Sequence, residues 1–230
     1  MKTPIIKTFL SFLLILLFLP TYGQKKAKLT SEEKENLKTA KVLLVRYEAP
    51  PLYVMTPKSV VGQGLMAKLT DSDVADKRER YRYYPNAIVH KNLDSLFRAT
   101  NLMSNIEIIG EAQEFMMPSE LKDLSKYKDV DADYIIEVIV PLMGWKASYA
   151  PIKWKIYHLN LGVELRIIRK SDLKRIWKTN VGYGGLVDKE MRFHISELEN
   201  GGKEMIRTKL NKMAYESSKR VIEKYIKAKK

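Results

Sequence analysis

The sequence contains no cysteine. This absence excludes disulfide bonds, thiol catalysis and a lipid-carrying cysteine at a signal-peptide junction. Long apolar runs are also scarce: after residues 9–19 no stretch is long enough to predict a membrane span, which needs about 20 apolar residues. There are three histidines, widely separated in sequence, and no glycine-x-serine-x-glycine elbow. The sequence therefore predicts no metal site, no cofactor and no catalytic residues.

The N-terminal residues 1–23 have the pattern of a secretory signal peptide. Lys2 and Lys7 precede the apolar run 9–19, and the small residues within 21–23 match a signal-peptidase site. We therefore predict cleavage after residue 23 and a single domain over 24–230. The expected location of the mature chain is the periplasm, or the periphery of the outer membrane.

Positive charge is in clear excess, with 41 lysines and arginines against 27 acids and a formal net charge of +14. Such a surface favours acidic protein partners, anionic glycans or an anionic lipid surface, and export makes nucleic acid an unsuitable partner. The alternative is that the lysines simply solvate helix faces, because they are spread along the whole chain.

The strongest structural signal lies in residues 157–185. Apolar residues alternate over 157–167, the polar run 169–172 interrupts them, and alternation resumes over 173–183. This pattern predicts a long β-hairpin with one apolar face. A helix over 203–227 is the predicted cover, because its apolar residues form one stripe. The stripe consists of Ile206, Leu210, Met213, Ala214, Ser217, Val221 and Tyr225.

The remaining elements complete a predicted α+β fold (α/β sandwich), with a mixed or antiparallel sheet covered by helices. Thr30 and Glu33 have the spacing of a capping box that starts a short helix. Pro141 is expected to close the strand that precedes it. Residues 52–84 have a poor pattern and are predicted to be a long irregular insertion. The predicted elements are helices at 31–40, 85–101 and 119–127 and strands at 41–47, 106–110 and 134–140.

Three weaker motifs each have a structural interpretation. Residues 62–67 have glycine-x-glycine-x-x-alanine spacing, but no full strand precedes them, so a flexible loop is favoured over nucleotide binding. Asp131 and Asp133 resemble a glycosidase pair but also fit an ordinary turn into a strand, which we favour. His90 and His158 fall on polar faces of their elements and are predicted to be solvated.

The best binding candidate is the segment 142–156, which is predicted to link the 134–140 strand to the hairpin. Aromatic and basic residues alternate there, as in protein interfaces, glycan sites and membrane-interface belts. The alternative is that the rings cover the sheet edge as additional core. The candidate partner-binding residues are Trp145, Lys146, Tyr149, Lys153, Trp154 and Lys155.

The residues from 131 onward resemble a known superfamily of envelope proteins. Residues 131–136 are similar to its "gly-ala-asp-tyr" strand entry, and 164–168 with 171–177 are similar to the hairpin that follows. The superfamily includes the curli-secretion lipoprotein and the lipoprotein activator of penicillin-binding proteins. This resemblance implies a small α/β sandwich that acts by docking to other envelope proteins, not by catalysis.

Three functional hypotheses follow from the sequence. The first is a non-enzymatic exported accessory protein that acts in assembly, regulation or secretion by docking to another envelope component. The second is a basic module that binds an anionic glycan or lipid. The third is an exported hydrolase that uses Asp131 or Asp133, and it has the least support.

Overall fold

The structure is a computed structural model, and it describes eight stretches of the chain. All statements about structure below concern these residues, and predictions for the others remain predictions. The described residues are 29–48, 53–55, 85–109, 112–114, 123–147, 156–194, 196–197 and 202–228.

Seven strands form one mixed sheet among these residues. The main path has the order β3-β1-β4-β5-β6, with β1 parallel to both of its neighbours and the β4–β5 and β5–β6 pairs antiparallel. The 157–185 hairpin is confirmed as β5 and β6. The strands are β1 (Val42–Arg46), β2 (Tyr53–Met55), β3 (Ile106–Ile108), β4 (Tyr134–Ala147), β5 (Ile156–Arg169), β6 (Lys174–Gly184) and β7 (Arg192–His194).

Three α-helices accompany the sheet: α1 (Ser31–Thr39), α2 (Asn86–Ala99) and α3 (Gly202–Lys227). The predicted capping box starts α1, because the Glu33 amide donates to Thr30 Oγ1 at 3.1 Å and the Thr30 amide donates to Glu33 Oε2 at 2.8 Å. The helix predicted at 119–127 is represented in the described part by one 3₁₀ turn, Ser125–Tyr127.

Helices α2 and α3 cover one face of the sheet and enclose the larger core. All seven residues of the predicted α3 stripe are buried there. Tyr225 packs edge-on against both Phe97 and Trp177, with ring centroids 5.8 and 5.5 Å apart. Leu165 and Ile167 of β5 belong to the same core. These contacts confirm the α+β class and the C-terminal helix as cover for the hairpin.

Each long edge of the β4–β5 ladder is lined by an interrupted strand. Strands β1 and β2 follow one another along β4 in the same direction. Strands β6 and β7 do the same along β5, and the chain between them leaves the sheet at residues 185–191. The two long strands therefore join an inner part of the sheet, flanked by β1 and β6, to an outer part, flanked by β2 and β7.

Strand β4 does not end at Pro141, as the sequence predicted, but continues to Ala147. The register against β5 shifts between Ile139 and Leu142, which places two β4 residues, Val140 and Pro141, opposite Val163 alone. A bulge of this kind tolerates proline because the extra residue needs no ladder hydrogen bond. The predicted linker 142–156 therefore begins as strand.

The described residues cover only part of the domain prediction. Residues 1–23 lie outside the described residues, as do 52–84 apart from β2, which forms a strand within the segment predicted to be irregular. In the described part of the chain, no helix combines the length and the apolar character that crossing a membrane requires.

Candidate functional site

The outer end of the sheet is where the predicted partner-binding residues meet the described structure. We define it as β2, residues 144–147 of β4, 156–159 of β5, the chain 185–191 and β7. Trp145 lies between Val54 and Leu159 in the ladder, and the Gly185 amide donates to the Leu159 carbonyl at 3.0 Å. Four segments of the chain thus meet in one row.

The structure describes the backbone of two of the six predicted site residues. Trp145 pairs with Leu159, which is fully buried in the core, and Lys146 pairs with His158. Strand β4 ends at Ala147 and β5 begins at Ile156, both at the outer end. The other four candidates, Tyr149, Lys153, Trp154 and Lys155, lie outside the described residues.

The helix-covered face of the outer end is closely packed. Tyr157 stacks on Phe193 of β7 with ring centroids 5.7 Å apart, and burial raises the pKa of the Tyr157 hydroxyl.

His158, predicted to be solvated, is buried, so that prediction is wrong. The alternation correctly predicts that His158 lies on the polar side of β5, but the turn that follows β6 approaches it. A Cβ atom on Gly185 would lie 3.0 Å from the His158 Cβ.

The turn at residues 185–188 presents an exposed apolar pair. Leu186 and Val187 keep 69% and 60% of their surface accessible. The amides of Val187 and Asp188 both donate to the Gly184 carbonyl at 2.9 Å. Gly184 is required here because a Cβ atom would lie 2.4 Å from the Leu159 carbonyl oxygen. The turn is therefore fixed against β5 while its two apolar side chains face solvent.

Side chains from α3 and β7 anchor the same turn. Asp188 accepts a hydrogen bond from the Tyr183 hydroxyl at 2.9 Å and pairs with Lys212 at 3.1 Å. Lys212 also pairs with Glu190 at 2.5 Å, and these two carboxylates raise the pKa of its ammonium group, Glu190 more strongly. Arg192 donates to the Gly185 carbonyl at 2.7 Å.

A second polar feature, the Glu137 cluster, lies on the face of the sheet opposite α2 and α3. Glu137 has no accessible surface, and its Oε1 lies 2.8 Å from the hydroxyls of both Tyr47 and Tyr127. Lys126 donates to the Tyr47 hydroxyl and lies 3.7 Å from Glu137. Burial and the Glu137 charge raise the pKa of both tyrosines, so they remain protonated donors.

The cluster continues across β5 to β6. Arg166 lies 3.6 Å from Glu137 and donates to Glu164 at 2.6 Å, and Lys178 pairs with Glu164 at 2.9 Å. Both Glu164 and Arg166 are almost fully buried. Because each carboxylate faces a cation and hydroxyl or amine donors, the arrangement is suited to holding β1, β4, β5 and β6 in register. Alternation along β5 put these two residues on the polar face, but it did not indicate that this face is covered.

The remaining histidine and carboxylate candidates have structural surroundings. His90 is buried, contrary to the prediction, because β1 covers its side of α2; burial, followed by the charge of Arg46, lowers its pKa to about 4. Asp133 accepts from the Lys41 amide at 2.8 Å, and Asp131 pairs with the Lys41 ammonium at 2.7 Å. These contacts match the interpretation as a turn into a strand. No group of three or more metal-ligand side chains occurs within the described stretches.

No protein-family model and no curated protein matches the sequence. Solved structures that align with the chain include the PelC dodecamer from Paraburkholderia phytofirmans (12% identity, 80% of this chain and 87% of that chain, TM-score 0.38). Protein XCC0632 from Xanthomonas campestris, described by the family model DUF330, aligns with 8% identity over 80% of this chain and 82% of its own, with a TM-score of 0.42.

Lipoprotein GNA1162 from Neisseria meningitidis aligns with 13% identity over 74% of this chain and 93% of its own, with a TM-score of 0.25. All three TM-scores lie below 0.5, so these likenesses assign no function to the chain. None of the three is the curli-secretion lipoprotein or the activator of penicillin-binding proteins, and the resemblance to that superfamily stays a prediction.

Proposed function

We propose that the protein is a non-enzymatic, exported accessory protein of the cell envelope, which docks to another envelope component through the outer end of its sheet. The observation that carries the proposal is the row formed by Val54, Trp145, Leu159 and Gly185. It brings the start of the aromatic and basic segment beside β2 and within one strand, β5, of the exposed 185–188 turn.

The side chains at this end support docking more than chemistry on a substrate. The two acids of the 185–191 chain, Asp188 and Glu190, are held by Lys212, and Asp188 also caps the 3₁₀ turn that follows it. A carboxylate engaged in this way is poorly placed to transfer a proton or attack a substrate. The buried tyrosines of the Glu137 cluster are likewise engaged, because both hydroxyls donate hydrogen bonds to Glu137.

The partner-facing chemistry comes from the sequence of the segment that joins β4 to β5. Aromatic side chains supply large contact area at low entropic cost, and tryptophan and tyrosine dominate the binding energy of many interfaces. The lysines between them favour an acidic partner surface, which increases the association rate more than the affinity. We therefore propose an acidic envelope protein as the partner, in assembly, regulation or secretion.

An affinity pull-down tests this proposal. The chain 24–230 is used to capture partners from detergent-solubilised envelope at low and high salt, beside the variants Trp145→Ala, Trp154→Ala and their combination. We expect capture of one stoichiometric protein that remains bound at high salt. The amount captured by the double variant should fall by at least about tenfold, since a central tryptophan contributes about 2 kcal/mol or more to binding.

The matched control is Tyr215→Ala, which removes a half-exposed aromatic residue from α3. It should retain capture. Thermal unfolding of every variant separates a binding role from a core role for Trp145, whose ladder partner Leu159 is buried. Undiminished capture by a folded double variant would contradict the assignment of the site.

A further inference from the structure

We propose that the turn at residues 185–188 is a membrane contact that inserts Leu186 and Val187 into the interfacial region of a lipid bilayer with anionic headgroups. The turn lies within the outer end proposed above for protein docking, but this proposal concerns a different ligand and does not depend on the docking proposal. The two can fail separately, because one is tested with purified lipid and the other with envelope protein.

The apolar pair is exposed on a backbone that is held by hydrogen bonds. Among the described residues, Leu186 and Val187 are the most exposed large apolar side chains and are the only two such residues adjacent in sequence. The backbone on both sides is bonded, since Gly185 binds Leu159 and Arg192, and Asp188 binds Gly184. The pair is thus presented outward without a loop that must first become ordered.

Basic residues outnumber acids around the apolar pair. Those in the chain 185–191 or bonded to it are Lys189, Arg192, Lys209 and Lys212, while the acids of this chain are Asp188 and Glu190. Lys212 binds both acids, and Lys209 donates to the Glu190 carbonyl. An exposed apolar pair beside an excess of basic residues matches a bilayer surface of anionic lipids, where each nearby lysine or arginine adds attraction.

The apolar part of the turn is small. A stable protein interface buries about 800 Å² on each partner. By themselves, the two adjacent apolar side chains of this turn offer less apolar surface than a protein interface or a pairing of two copies of this chain requires. Insertion into a bilayer needs no complementary pocket, and burial of apolar side chains adds to the attraction between basic residues and anionic headgroups.

Vesicle co-sedimentation tests the proposal. The chain 24–230 is mixed with vesicles of phosphatidylcholine alone, or of phosphatidylcholine with phosphatidylglycerol. We expect binding to the anionic vesicles, and a loss of about tenfold or more in the Leu186→Asn, Val187→Asn double variant, since both apolar side chains then lose their burial in lipid. Lys189→Glu should weaken binding to anionic vesicles only.

The control is the Tyr215→Asn, Ile226→Asn double variant, which removes two exposed apolar residues of α3 and should bind like the original chain. A Leu186→Trp variant should show a blue-shifted emission with anionic vesicles. Absence of vesicle binding, undiminished binding of the turn double variant, or equal loss in the control would overturn the proposal. Loss of envelope-protein capture in the turn double variant, without loss of vesicle binding, would assign the turn to a protein partner instead.

Discussion

Glu137 is the central buried charge on the face of the sheet opposite α2 and α3. It has no accessible surface, yet it carries a carboxylate in contact with Tyr47, Tyr127 and Arg166. A buried charge is tolerated only while its partners compensate the lost hydration. Removing one member of the cluster should therefore destabilise the fold more than replacing both members of a pair.

Replacing Glu137 by leucine should lower the free energy of unfolding by about 3–5 kcal/mol, because Arg166 is left buried without one of its two carboxylates. Urea denaturation of the folded chain measures this change. The matched control is Glu107→Leu, which removes an exposed strand carboxylate 3.5 Å from Lys41. It should change the unfolding free energy by no more than about 0.5 kcal/mol.

The combination Glu137→Leu, Arg166→Met should cost less than the sum of the two single changes, because it leaves no buried charge from this pair unpartnered. Additive effects would show that the two side chains do not interact energetically. They would remove the reason for regarding the cluster as the element that fixes strand register.

His90 makes stability depend on pH. Burial, and then the charge of Arg46, lower its pKa from 6.5 to about 4 in the folded chain. Between these values the unfolded chain binds a proton that the folded chain does not, so stability is complete above pH 6.5 and falls as the pH drops to 4. The expected loss from this residue is about 3 kcal/mol.

A His90→Leu variant should lose that much less than the original chain between pH 7 and pH 4, as measured by urea denaturation at each pH. An unchanged dependence, or a ring that titrates near pH 6.5 by NMR, would contradict this prediction.

At the level of elements, α3 protects the edge of β6 as well as the core. β6 is the last strand of the described sheet order. Lys224 donates to the Asn180 carbonyl at 2.6 Å, and Arg220 donates to the Gly182 carbonyl at 3.2 Å. An edge strand with unoccupied carbonyls can pair with another chain, and charged side chains at the edge prevent this.

The Arg220→Ala, Lys224→Ala double variant should therefore self-associate. Light scattering over a concentration series should show a rise in mean mass that the original chain lacks. The Lys203→Ala, Lys219→Ala variant removes the same charge from exposed positions of α3 and should remain like the original chain. Equal association in both variants would indicate that lost charge, not an opened edge, is the cause.

Elements with a clear period could be predicted from the sequence, and side chains between two layers could not. The α3 stripe and the β5–β6 hairpin follow from alternation and helical spacing alone. Periodicity predicts one buried face per helix and puts His90 on the polar side of α2, whereas α2 contacts both α3 and β1. The local preference of Pro141 predicts the end of a strand, but pairing with β5 overrides it.

For the whole molecule, the sheet separates two cores of unequal size. The larger lies under α2 and α3, and the smaller contains Leu43, Val45 and Ile135 on the other face. The Glu137 cluster could not be predicted because its members come from five separate parts of the chain, and only the folded sheet brings them together. The same holds for the row that joins Trp145 to the 185–188 turn.

The bulge at Val140 and Pro141 also determines how the two halves of the long ladder face. On the inner side of it, the even-numbered residues Ile136 and Val138 pair with the core positions Ile167 and Leu165; beyond it, odd-numbered position 145 pairs with core position 159. One extra residue thus inverts the parity of β4. Removing one of these two residues would make the ladder regular and keep position 145 opposite position 159. A one-residue slip of register beyond the bulge would instead turn the outer side chains of β4 to the other face. The bulge therefore absorbs an odd number of residues without disturbing the pairs on either side of it, and the two halves of β4 can each keep their own alternation.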